Sequence, residues 1–106
     1  MCSRDERNES QETPIMSTIL VVDDRPEDRE LMSTLLGYAG HDVVEAASGD
    51  AALRLAGEYH PELIVTDILM PDMNGYEFVR RLREDSELGG TPVIFNTANY
   101  LEGEVR

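Results

Sequence analysis

Short apolar runs that end directly in aspartate are the feature that most constrains the fold of this chain. Residues 19–22 are all aliphatic and are followed at once by Asp23 and Asp24. Residues 63–66 form a second, largely apolar run that ends at Asp67. Runs of this kind are typical of strands that are covered on both faces. The sequence therefore predicts a sheet with packed layers on either side.

The segments between these runs carry helical signals. Pro26 suits the first turn of a helix, and Glu27 and Asp28 after it interact favourably with the helix dipole. Ser48 and Asn74 are expected to cap two further helices, the second of them through a capping box with Glu77. Apolar residues at helical spacing are expected to face the core, namely Leu31, Leu35, Tyr38, Phe78, Val79 and Leu82.

Two shorter runs complete the pattern of strands and helices. Residues 43–44 indicate a second strand, and residues 93–95 indicate a fourth strand that leads into Asn96 and Thr97. The resulting order is βαβαβαβ, which predicts an α/β fold with a parallel, doubly wound sheet. Residues 1–16 are polar and are expected to form a disordered leader, so that the folded domain spans residues 17–106.

Polar side chains are expected to converge at one edge of this sheet, because ligands in such folds bind outside the carboxyl ends of the strands. Asp23 and Asp24 follow the first strand, Asp67 ends the third, and Thr97 follows the fourth. Aspartate at a strand end often only forms a turn. Three acids in one crevice would repel one another unless a cation lay among them, and oxygen ligands alone suit Mg²⁺.

An aspartate beside such a cation can attack a phosphoryl group and form an aspartyl phosphate. Asp67 is the best candidate for the nucleophile, because it stands alone at its strand end, whereas the Asp23–Asp24 pair is suited to gripping the metal. The Thr97 hydroxyl could hydrogen-bond a phosphoryl oxygen.

Charge and composition exclude several other classes of protein. The net charge is −13 and all nine basic residues are arginine, so direct binding to nucleic acid by this segment is not expected. No apolar run approaches the roughly 18 residues of a membrane span, and we expect a cytoplasmic location. The single cysteine, Cys2, has no partner in the chain for a disulfide.

Three segments in order resemble the response-regulator receiver domains of two-component signalling. Residues 19–24 look like the family's opening strand and acidic pair, residues 67–75 like its phosphorylation-site segment, and residues 91–98 like its fourth strand and switch residue. The likeness covers roughly residues 18–102. It implies a flavodoxin-like fold with the strand order 2-1-3-4-5.

The resemblance also implies a role for each matching residue. Asp67 would accept the phosphoryl group, Asp24 would bind Mg²⁺ directly, and Asp23 would act on the metal mostly through water. The backbone carbonyl of Leu69 would be a further ligand, and Thr97 would be the switch hydroxyl. The phosphoryl donor would be a sensor histidine kinase or a phosphotransfer protein. Such a domain is a signalling phosphoacceptor rather than an enzyme acting on other substrates.

One departure from the family pattern is clear. The family places a lysine at the end of a fifth strand, but this chain contains no lysine and ends where the fourth helix should begin. We therefore expect an incomplete receiver without most of helix four, strand five and helix five. It would be either a fragment of a longer protein, which we favour, or a naturally shortened domain. The fourth strand would then form an open edge, through which copies of the chain could associate.

Two alternative functions stay open at this point. The absent lysine would suit a degenerate receiver that binds other proteins without being phosphorylated. A Mg²⁺-dependent phosphohydrolase that forms an aspartyl phosphate is the other alternative. Against the hydrolase, the sequence after Asp67 lacks the second aspartate that the Asp-x-Asp pattern of haloacid dehalogenases needs at Leu69.

Overall fold

A computed structural model of the protein describes residues 17–96. The chain alternates strands and helices throughout this part. The elements are β1 (Thr18–Val22), α1 (Pro26–Tyr38), β2 (Asp42–Ala46), α2 (Gly49–Tyr59), β3 (Leu63–Asp67), α3 (Gly75–Arg83) and β4 (Val93–Asn96). Each predicted strand is present and is one to three residues longer than its apolar run. The helix expected to begin within residues 100–106, and the leader expected over residues 1–16, lie outside the described residues.

The four strands form one parallel sheet in the order β2-β1-β3-β4. This arrangement confirms the flavodoxin-like order expected for strands one to four. The register pairs Val22 of β1 with Thr66 of β3, so these two strands end at the same level of the sheet. The register also pairs Asp67 with Asn96 at the end of β4. The carboxyl ends of the three strands therefore share one edge.

The side chains of β1 alternate between the two faces of the sheet, as the pleat of a strand requires. Leu20 and Val22 join the larger core beneath α2 and α3, where Phe78 is fully buried. Ile19 and Val21 point to the other face and pack in the smaller core beside α1. All four aliphatic residues are buried, which explains why the run is continuous rather than alternating.

Capping groups fix the start of two helices where the sequence predicts them. The Ser48 hydroxyl accepts a hydrogen bond from the Ala51 N–H at 3.2 Å, and the Asn74 side-chain oxygen accepts one from the Glu77 N–H at 2.9 Å. The Glu77 carboxylate pairs with the guanidinium groups of Arg80 and Arg81. Only the Asn74 half of the expected capping box is thus recorded in the described part of the chain.

Helix α2 runs past Gly57, although a glycine in a helical pattern can mark the end of a helix. The helix continues to Tyr59 and ends at His60, which takes a left-handed conformation with φ of 48°. An added Cβ at Gly57 would meet nothing within 4 Å, so the backbone there makes no demand for glycine. A glycine in a helical pattern was therefore a weak stop signal here.

The core-facing side of α1 was predicted wrongly. Leu31, Leu35 and Tyr38 were expected to face the core, but their exposures are 60%, 56% and 88%. The helix instead packs Met32 and Leu36 against the sheet. These two stripes are one residue apart along the helix, and both are apolar. Hydrophobic periodicity alone could not decide between them. Phe78, Leu82 and Val79 do pack in the larger core, as expected.

Among residues 17–96, none of the helices is both long enough and apolar enough to cross a membrane.

Candidate functional site

Three aspartates meet at the edge where β1 and β3 end. Asp23 and Asp24 leave β1, and Asp67 is the last residue of the neighbouring β3. One carboxylate oxygen from each residue lies within 4.8 Å of the other two. Asp23 and Asp67 are almost fully buried, whereas Asp24 is partly exposed and gives the cluster its contact with solvent. The structure thus brings together the three acids that the sequence analysis selected.

Asp23 is held by its main chain and by its side chain. Its N–H donates to the Ala46 carbonyl at 3.1 Å, which extends the pairing of β1 with β2 by one residue. Its Oδ1 accepts from the Arg25 N–H at 2.9 Å, forming a turn at the start of the loop. Burial raises the pKa of this carboxyl. The bond from Arg25 opposes that rise, and the negative charge of Asp67 adds to it.

Asp67 is fixed in a similar way by its own backbone environment. Its Oδ1 accepts a hydrogen bond from the Ile68 N–H at 2.8 Å, and its carbonyl accepts one from the Thr66 hydroxyl at 3.0 Å. Burial is the main cause that raises the pKa of Asp67, and the charge of Asp24 raises it further. The Ile68 N–H lowers the pKa, but not enough to reverse the effect of burial.

The backbone of the β3–α3 loop passes very close to Asp67 at Gly75. The Gly75 N–H donates to the Ile68 carbonyl at 2.8 Å. A Cβ added to Gly75 would lie 2.5 Å from the Asp67 carbonyl oxygen and 3.1 Å from the Ile68 Cα. Both neighbouring atoms belong to the backbone and cannot move aside cheaply. Glycine at this position therefore lets the first residue of α3 lie against the backbone of Asp67.

The other predicted site residues are placed less completely. The Leu69 side chain is 50% exposed in the loop after Asp67, and its N–H helps to lower the pKa of that acid. The role expected for its carbonyl, as a metal ligand, stays a prediction. Thr97, expected to supply the switch hydroxyl, lies outside the described residues. It directly follows Asn96, which pairs with Asp67 across the sheet.

The donor set fits a hard divalent cation. Its three side chains offer only carboxylate oxygens, which are the ligands that Mg²⁺ and Ca²⁺ prefer. Burial and mutual repulsion both disfavour the charged forms of Asp23 and Asp67. A cation among the oxygens would offset both effects, because it attracts each carboxylate directly. A carboxylate held at such a site can also serve as a nucleophile.

Arg29 is a contact of this site that the sequence analysis missed. It lies in the first turns of α1, and its Nη1 donates to the Asp23 carbonyl at 2.7 Å. Its Nε donates to Oε1 of Glu45 on β2 at 3.1 Å. An arginine soon after the acidic pair was the available signal. Nothing in the pattern, however, distinguishes it from the exposed arginines elsewhere in the chain.

Comparison with known proteins gives one consistent result. The family model described as "Response regulator receiver domain" matches residues 19–105. Protein PilH of Pseudomonas aeruginosa is 37% identical over 87 residues, which cover 82% of this chain and 72% of PilH. The polar-differentiation response regulator DivK of Brucella ovis is 36% identical over 87 residues, covering 82% of this chain and 71% of DivK.

A solved structure supports the same relationship. The chemotaxis response regulator CheY4 of Vibrio cholerae superposes with a TM-score of 0.74 at 33% identity, over 86% of this chain and 80% of that chain.

Proposed function

Because this chain belongs to the response regulator receiver domain family, we propose that it accepts a phosphoryl group on Asp67, with Mg²⁺ held by the aspartate cluster. The observation that carries the proposal is the meeting of three carboxylates within 4.8 Å at the carboxyl edge of a parallel sheet. A fold of this class alone would not indicate the chemistry, because the same fold serves many functions. The site supplies the chemistry.

The surroundings of each acid favour Asp67 as the nucleophile. Asp67 stands alone at the end of β3, and the hydrogen bond from the Ile68 N–H to its Oδ1 fixes the orientation of its carboxylate. Asp23 and Asp24 share one strand end beside it. They would hold the cation together with Asp67 and the Leu69 carbonyl.

The transfer step is a displacement at phosphorus. A carboxylate oxygen of Asp67 attacks the phosphorus of a phosphohistidine on a sensor histidine kinase or a phosphotransfer protein. The phosphorus–nitrogen bond breaks, its electron pair returns to the imidazole nitrogen, and an acyl phosphate forms on Asp67. Asp23, Asp24 and Asp67 would hold Mg²⁺, which would offset the negative charge on the phosphoryl oxygens. The Thr97 hydroxyl would then donate a hydrogen bond to a phosphoryl oxygen and so transmit the change to the residues that follow β4.

The acyl phosphate on Asp67 would serve as a signal and not as a metabolic product. The same site would promote hydrolysis of the acyl phosphate and return the domain to its resting form. We place the exchange in the cytoplasm, where the chain would meet the kinase domain of its sensor.

A degenerate receiver, which binds its partners without phosphorylation, is the alternative to this function. All three acids of the cluster are present in this chain, and a module without phosphoryl chemistry would have no need to bury two of them side by side.

The proposal is tested by intact-mass spectrometry after incubation with acetyl phosphate, with and without Mg²⁺. We expect one phosphoryl adduct that requires Mg²⁺, is absent in Asp67→Asn and is retained in Asp72→Asn. Asp72 is the matched control, because it is an exposed aspartate of the same loop. An adduct that survives in Asp67→Asn would contradict the assignment of the nucleophile. No adduct from acetyl phosphate or from phosphoramidate would favour the degenerate receiver.

A further inference from the structure

Arg29 links three elements that surround the aspartate cluster. The residue belongs to α1, its Nη1 reaches the carbonyl at the end of β1, and its Nε reaches Glu45 on β2. The Arg29 side chain is 19% exposed, against 42% for Glu45. A guanidinium presents several donors in a fixed planar fork, so it can satisfy both acceptors at once. The contact is therefore specific to arginine in its geometry.

The carbonyl that Arg29 binds belongs to the peptide that joins Asp23 to Asp24. The orientation of this peptide sets the direction in which the two side chains leave the backbone. The Asp23 N–H is held by Ala46, and its Oδ1 is held by the Arg25 N–H. The Arg29 bond, at 2.7 Å, fixes the main-chain carbonyl of the residue. With all three groups engaged, the acidic pair is oriented before any cation arrives.

We propose that Arg29 is a positioning residue, which fixes the Asp23–Asp24 peptide so that both carboxylates are preorganised for Mg²⁺. This inference rests on the proposed function, since it concerns the same metal. Groups that orient metal ligands through hydrogen bonds commonly change metal affinity by about 10-fold to 100-fold when they are removed. Arg29 acts through the main chain, because its Nη1 points at a carbonyl rather than at a carboxylate of the cluster.

Charge and geometry make opposite predictions for the loss of Arg29. Removing a positive charge near three carboxylates makes the site more negative, so electrostatics alone predicts tighter binding of Mg²⁺. Loss of a positioning contact predicts weaker binding, because the ligand pair must be ordered when the cation binds. The sign of the change in affinity therefore separates the two explanations, and overall stability does not enter the comparison.

The experiment is a titration of Mg²⁺ into the full chain by isothermal calorimetry, well below the unfolding midpoint. Arg29→Gln removes the charge and the fork, whereas Arg29→Lys keeps the charge but can reach only one acceptor at a time. Glu45→Gln keeps the bond to the Asp23 carbonyl. Arg54→Gln is the matched control, because Arg54 is exposed on α2 and the substitution changes the net charge equally.

We expect Arg29→Gln to weaken Mg²⁺ binding about tenfold. We expect Arg29→Lys to recover part of the loss, and Glu45→Gln and Arg54→Gln to bind like the wild type. Equal or tighter binding by Arg29→Gln overturns the proposal. If circular dichroism shows that Arg29→Gln does not fold, Arg29→Met decides in the same way, because methionine keeps the aliphatic stem but offers no donor to the Asp23 carbonyl; equal or tighter binding by that variant overturns the positioning role.

The failure of this inference is distinguishable from the failure of the proposed function. A wild-type chain that binds no Mg²⁺ contradicts both. A wild-type chain that binds Mg²⁺, together with an Arg29→Gln variant that binds it equally well, contradicts only the positioning role.

Discussion

Replacement of Asp67 by asparagine is expected to stabilise the Mg²⁺-free protein, although it removes the proposed phosphoacceptor. Asparagine has nearly the same shape as aspartate and keeps the Oδ1 that accepts from the Ile68 N–H. It removes a buried negative charge that has two acidic neighbours within 4.8 Å. The native state of the variant therefore lacks a repulsion that the unfolded chain never experiences.

The size of this effect follows from the distances in the cluster. Two unit charges 4.8 Å apart repel each other by about 3 kcal/mol at an effective dielectric constant of about 20. Asp24 is partly exposed, so water and salt screen its repulsion with Asp67. We expect Asp67→Asn to raise the free energy of unfolding by about 1–2 kcal/mol. In a domain of this size, each kcal/mol raises Tm by about 4–8 °C.

The same reasoning gives the direction of the pH dependence. The pKa of Asp67 in the folded protein is raised above its ordinary value of 3.8. Between these two values the folded protein binds more protons than the unfolded chain, so stability falls as pH rises through that window. The Mg²⁺-free wild type should therefore become more stable as the pH is lowered from neutral towards the ordinary aspartate value of 3.8. Asp67→Asn should gain less stability than the wild type over the same change in pH.

Glu77 has the opposite pH dependence. Its pKa is lowered from 4.5 to about 2 by the guanidinium groups of Arg80 and Arg81. The stability that its ion pairs contribute is present above 4.5 and is lost as pH falls from there towards about 2. This loss overlaps the lowest part of the window used for Asp67, but it is common to the wild type and Asp67→Asn and cancels in the difference between them.

The assay is urea unfolding followed by circular dichroism at several pH values, with EDTA or with excess Mg²⁺. Asp72→Asn is the control, because it removes an exposed charge from the same loop and should change stability little. Excess Mg²⁺ should stabilise the wild type, by about 2.7 kcal/mol at 100 times its Kd, and should stabilise Asp67→Asn less. If Asp67→Asn were no more stable than the wild type in EDTA, mutual repulsion within the cluster would be refuted.

Two further predictions concern packing. Gly75→Ala should destabilise the protein by about 1–3 kcal/mol in urea unfolding and should weaken Mg²⁺ binding, because the new Cβ would lie 2.5 Å from the Asp67 carbonyl. Gly57→Ala in the open part of α2 should be neutral or stabilising, and an equal loss in both variants would contradict the close approach. Leu36→Ala should lower the free energy of unfolding by about 2 kcal/mol or more, because Leu36 packs on the sheet. Leu35→Ala should change it by no more than about 0.5 kcal/mol, because Leu35 is exposed. The reverse order would show that Leu35, and not Leu36, faces the core.

Local signals explain why the sheet and the acidic cluster could be predicted from the sequence. The apolar runs of β1 and β3 are largely buried on both faces, so their composition reveals strands without any knowledge of their neighbours. The abrupt change from Val22 to Asp23, and from the third run to Asp67, marks the carboxyl ends of two strands. The rules for parallel sheets then place those ends together.

The features that could not be predicted depend on contacts between elements. Leu35 and Leu36 are equally apolar neighbours, and only the position of α1 over the sheet decides that Leu36 packs inward. Arg29 is similarly one of several arginines, and its bond to the Asp23 carbonyl exists only because α1 starts next to the end of β1. Helix α2 ends at His60 in a left-handed conformation, and the sequence does not signal this end because the residue is not glycine.

The central position of β1 has a consequence for the order of folding. Two of the three acids follow β1 and the third follows β3, yet α1, β2 and α2 lie between these strands along the chain. Parallel neighbours cannot be joined by a tight turn, so the intervening segments must cross over before the two strands can pair. Pairing across such a distance is slow compared with local structure formation. The ability to capture a divalent ion should accordingly emerge late during refolding, and it would report on the assembled sheet rather than on any single helix or strand.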